Sequence, residues 1–167
     1  IERIVIHCSA TKPSQAVDAA EIDRWHKARG FERIGYNYVI LRDGKIEAGR
    51  AEGEELAHAK GFNKNSIAIC LVGGLDDAGA PSPSYTSEQW RSLRVAVEWM
   101  QRRYPQAELL GHRDLPGVAK ACPSFDVGVD EKTSTVNVTV LPAPPVDADD
   151  SYAVEQTVTT PESERTV

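Results

Sequence analysis

The chain has 167 residues, 41% of them apolar, enough for one domain with its own core and no disulfide staples. Its net charge of −6 sits at one end: residues 130–167 hold eight acidic and two basic residues, while residues 1–129 are balanced at 17 of each sign. A neutral body with an acidic end lacks the basic face that nucleic-acid binding needs, and no apolar run nears the roughly 20 residues of a membrane span.

RIVIHCSA (3–10) is a β-branched run ending at a histidine and reads as a buried strand. DAAEIDRWHKARG (18–30) reads as a helix, with Asp18 as cap, Glu21 three residues on and Gly30 at the stop; Ile22, Trp25 and Ala28 or Arg29 trace one face. YNYVILRDGKIEAGR (36–50) is a hairpin about the Asp43-Gly44 turn. SIAICLVGG (66–74) is almost continuously apolar and predicts a central strand covered on both faces. TSEQWRSLRVAVEWMQRRYP (86–105) predicts a helix with a Thr86/Gln89 capping box and a face of Trp90, Leu93, Val97 and Met100; Pro105 stops it. AELLGH (107–112) is another short strand ending at a histidine.

After about residue 128 the character changes. STVNVTV and YAVEQTVTT alternate like exposed strands without bulky core residues, and LPAPPVDADD is linker-like. The expected organisation is an α/β domain over 1–128, a mixed central sheet flanked by helices, followed by an acidic, Pro-containing extension over 129–167. Deleting 130–167 is expected to leave the domain's activity largely intact.

Cys8, Cys70 and Cys122 are far apart, include no C-x-x-C and form no disulfide framework, so reduced thiols and cytosolic synthesis are expected. No signal peptide is visible, although the chain opens at Ile1 rather than Met, which leaves room for a preceding piece.

GHRDLPGVAKACPSFD (111–126) sets a histidine, a lysine and a cysteine among Gly and Pro, and on the residues alone it reads equally as a metal site, a redox thiol or a loop with a buried cysteine. A catalytic zinc takes three protein ligands and keeps one position open. His7 and His112 at strand ends, with Cys122 in the loop after His112, are the best such set; the competing reading is hydrogen-bonded histidines and an inert thiol. Cys8 and Cys70 read as buried strand thiols, His26 as a solvated or packed helix residue, Lys120 as an exposed charge and Tyr36 as a half-buried strand aromatic.

IVIHCSATKPSQ (4–15), GYNYVILRDGKIEAGR (35–50), HAKGFNKNSIAICLVGG (58–74) and KACPSFD (120–126), in that order, resemble the phage lysozyme of T7 type. That is a zinc N-acetylmuramoyl-L-alanine amidase, of the superfamily that includes bacterial amidases and peptidoglycan recognition proteins. The resemblance spans residues 1–127 and departs from the pattern in the loop GHRDLPGVAKACP. It implies Zn²⁺ held by His7, His112 and Cys122, catalytic roles for Tyr36 and Lys120, and substrate contact by His58. It also implies bacterial peptidoglycan as partner, cut at the amide between N-acetylmuramic acid and L-alanine.

A monomer is expected, made in a host cytoplasm and acting on the wall as an endolysin. Two other readings share these residues: a non-catalytic peptidoglycan-binding module, and a muropeptide-recycling amidase of the bacterial cytoplasm. A redox or structural-zinc domain is a third.

Overall fold

The computed structural model describes residues 1–130 and 135–138 and builds them about one mixed sheet. Its strands are β1 (Arg3–Cys8), β2 (Tyr38–Ile40), β3 (Ile46–Ala48), β4 (Ser66–Leu71) and β5 (Glu108–Gly111), in the order β3-β2-β4-β1-β5. Only the β2–β3 hairpin is antiparallel. The two most apolar runs, β1 and β4, are the two strands with parallel neighbours on both sides, a position covered on both faces. All six β4 residues are buried.

Period-2 alternation assigns the faces. Ile4 and Ile6 of β1 and Ile67, Ile69 and Leu71 of β4 point to one side, where Leu93, Val97 and Met100 of α2 (Ser87–Arg103) cover them. On the other side Val39, Cys70 and Val72 meet Ile22 of α1 (Ala19–Ala28), while Val5 packs with Ala59 and Leu115. His7 lies on the Val5 side, so the strand aims it at the α1 face.

Both helices start as their sequences require. The Asp18 side chain accepts from the Glu21 N–H at 2.7 Å, and Thr86 and Gln89 form the reciprocal capping box. Gln89 extends beyond the cap. Fully buried, it donates from Nε2 to Ile40 O at 3.2 Å and Val72 O at 2.8 Å, tying α2 to the ends of β2 and β4. It takes a core place on a face where Trp90 is only partly buried. Among the described residues no buried side-chain nitrogen or oxygen lacks a partner.

β5 stops one residue before its histidine, and His112–Asp114 form a short 3-10 turn. β6 (Val127–Asp130) and β7 (Thr135–Val138) form a separate antiparallel hairpin. It straddles the boundary expected at 128 and includes part of the STVNVTV run; the YAVEQTVTT run lies outside the described residues. No helix among the described residues is long and apolar enough to cross a membrane.

Candidate active site and metal centre

Strand register brings the two strand-end histidines together. β1 and β5 run parallel with Ile6 opposite Gly111, so the next residues, His7 and His112, emerge side by side with ring centroids 4.4 Å apart. Asp114 Oδ2 accepts the Gly111 N–H at 2.8 Å and shapes the turn that presents His112.

Cys122 arrives by a different route. Phe125 is buried against Trp90 and Tyr85, at centroid distances of 4.7 and 5.7 Å, and anchors the loop in the core below α2. Tyr85 OH donates to Pro123 O at 2.6 Å, Ser124 Oγ to Gly74 O at 2.9 Å and the Arg113 N–H to Cys122 O at 2.8 Å. The Cys122 sulfur then lies 3.9 Å from His7 Nδ1 and accepts the Cys8 N–H at 3.2 Å. The candidate ligand atoms of His7, His112 and Cys122 all fall within 4.8 Å of one another.

This donor set fits a zinc ion. Two imidazole nitrogens and one sulfur are zinc ligands, and three protein ligands leave a position free. The protonation states suit it as well. Burial, with the neighbouring His58, His112 and Lys120, holds His7 well below the ordinary histidine range. Burial and the Lys120 charge lower His112. Both rings are therefore neutral near pH 7. The neighbouring Cys8 and Cys122 thiols influence each other, bringing Cys8 down to about 7 and holding Cys122 up, so the first ionisation belongs to the pair. The backbone N–H on the Cys122 sulfur favours charge there.

The three residues form part of the floor of a cleft of about 470 Å³ that also meets Tyr36, His58, Lys120, Trp25 and His26 of α1, and Arg29 at its C-cap. Tyr36 packs 5.1 Å from the His7 ring, and burial raises its hydroxyl well above the usual phenol range. Its backbone is clamped: Arg50 N–H donates to Tyr36 O at 2.8 Å, and a Cβ on Gly49 would meet that oxygen at 2.2 Å. Lys120 is exposed at the rim, near enough for its charge to depress both histidines. His58 lines the cleft, with Nδ1 2.8 Å from His7 Nε2.

The family model described as N-acetylmuramoyl-L-alanine amidase matches residues 1–125. The chain belongs to the N-acetylmuramoyl-L-alanine amidase family. Endolysins of Enterobacteria phage T3 and Escherichia phage T7 are each 48% identical to it over 126 residues, spanning 75% of this chain and 82% of each relative. Among solved structures, the N-acetylmuramoyl-L-alanine amidase LysC from Clostridium intestinale superposes with a TM-score of 0.63 at 28% identity, covering 73% of this chain and 75% of that one. The Ph2119 endolysin of a Thermus scotoductus bacteriophage gives 0.62 at 27%, over 73% and 76%. Family membership makes the chain a peptidoglycan hydrolase by class and accounts for the mixed sheet with flanking helices.

One residue of this amidase-family cleft escaped sequence reasoning. His26 is buried, and its Nδ1 accepts the Gly35 N–H at 2.8 Å, holding the turn before Tyr36, while its ring packs 5.2 Å from Tyr36. Burial, helped by the Arg29 charge, pushes it down to about 4. Its signal was the four-residue spacing from Ile22, which puts both on the inward face of α1.

Proposed function

We propose that the chain cleaves the amide between N-acetylmuramic acid and L-alanine with a zinc ion held by His7, His112 and Cys122, and that it does so as a phage endolysin. The observation that carries this is the meeting of two neutral imidazoles and a sulfur within 4.8 Å on the cleft floor of an amidase-family chain. Bound there, zinc would supply Lewis acidity toward the carbonyl and a water acidic enough to ionise near neutral pH.

The chain's own groups do the rest. Lys120 sets a positive charge beside the ligands, where negative charge develops on the amide oxygen; a donor of this kind changes turnover by about 10²–10³-fold. Tyr36, kept protonated by burial, acts as a hydrogen-bond donor toward the amide rather than as an acid that gives up its proton. His7 and His112 keep their lone pairs available at neutral pH because their surroundings oppose protonation. The wall-facing role is supported by the likeness to the T3 and T7 endolysins.

Purified peptidoglycan incubated with the zinc-loaded chain should release new L-alanine amino termini, seen by end-group labelling and mass analysis. Wall binding with no released termini would overturn the hydrolytic reading. Turnover of soluble muropeptides but not of intact wall would replace the endolysin role with recycling. Undiminished activity of His112→Ala and Cys122→Ser would overturn the metal site.

A further inference from the structure

The histidine cluster contains a bond chain that decides which nitrogen of His7 keeps its lone pair. Phe62 O can only accept, and it lies 3.0 Å from His58 Nε2, so that nitrogen carries a proton. Ser66 Oγ donates to the same carbonyl at 2.7 Å, so both of its lone pairs are engaged. A neutral His58 then presents a bare Nδ1 to His7 Nε2 at 2.8 Å, and His7 must donate across that gap. This leaves the lone pair of His7 on Nδ1, the nitrogen that lies 3.9 Å from the Cys122 sulfur and so faces the ligand cluster.

We propose that His58 is a positioning residue that selects the tautomer of His7, so that Nδ1 is the atom offered to the metal. The inference deepens the zinc reading above and rests on it. The segment carrying His58 is built for a fixed ring: the backbone N–H groups of His58 and Ala59 both donate to Asn63 Oδ1, at 2.9 and 3.0 Å, and clamp the loop. Rotated or lost, His58 would let His7 place its proton on Nδ1, where an N–H would point at the cation. With both ring nitrogens engaged by the chain, His58 meets substrate through its carbon edges alone, which narrows the contact expected of it.

The test has two arms. Long-range ¹⁵N–¹H NMR of the wild-type chain at pH 7, before and after zinc is added, should show His7 and His58 both protonated at Nε2. An Nδ1–H tautomer for His7 in the metal-free chain would overturn the proposal without any mutation. Zinc affinity is then measured by competition with a chromophoric chelator. His58→Leu, which keeps bulk but has no acceptor, should bind zinc about 10–100-fold more weakly. His58→Asn, which keeps an acceptor toward His7 Nε2, should stay within a few-fold of wild type. Equal affinity for Leu and Asn would assign His58 a packing role and overturn tautomer selection. A wild-type chain that takes up no stoichiometric zinc would instead remove the metal reading, leaving the tautomers to be judged by NMR.

Discussion

Acidification of the metal-free chain should destabilise it steeply between pH 7 and pH 5. His26 and His58 are each held down to about 4, chiefly by burial, against about 6.5 in an unfolded chain. The folded values lie below the unfolded ones, so the unfolded chain takes up protons first as pH falls. The stability is intact above about pH 6.5 and drains away as pH drops toward 4. With those values each histidine loses about 2 kcal/mol from pH 7 to pH 5, and the pair about 4 kcal/mol. Depression of His7 and His112 acts in the same direction. Domains of this size have about 5–15 kcal/mol in all, so the pair removes between about a quarter and four-fifths of the margin. Urea unfolding of chelator-treated protein, followed by tryptophan fluorescence, reads the effect directly. His26→Gln should reduce the change between pH 7 and 5 by about 2 kcal/mol, whatever its own cost. A midpoint that stays level down to pH 5 in the wild type would refute the picture of neutral, desolvated imidazoles.

Gly49→Ala forces a methyl group to 2.2 Å from Tyr36 O, so the Tyr36 backbone must move; turnover should fall by about 10²-fold with zinc content unchanged, and unaltered turnover would argue against Tyr36 acting at the amide. Gln89→Met leaves the Ile40 and Val72 carbonyls and the Thr86 N–H without their side-chain partner; a loss of about 3 kcal/mol by urea unfolding is expected, and a loss under about 1 kcal/mol would show that the ties carry little. Lys120→Ala should lower turnover by about 10²-fold and leave zinc stoichiometry at one, measured by metal analysis alongside release of amino termini. Deleting 139–167, which lies beyond the residues matched by the family model, should leave hydrolysis of purified peptidoglycan within a few-fold of the full chain.

Local chemistry by itself settles much of this protein. The β-branched runs at 3–10 and 66–74, the Asp43-Gly44 turn, and the caps at Asp18 and Thr86 each carry their structural instruction within a few residues, and β1, β4, the β2–β3 hairpin and both helices form where those signals stand. Four ordered motifs were enough to point to the family. What the tertiary structure decided is everything that joins distant segments. Register across β1 and β5 makes neighbours of His7 and His112, and a buried Phe125 delivers Cys122 to them. His26 turned inward to hold Gly35, and His58 found its partner in His7. Such pairings leave no periodic trace in the chain, because a side-chain hydrogen bond depends on where two backbones meet in space, and that is set by packing of the whole sheet and its helices.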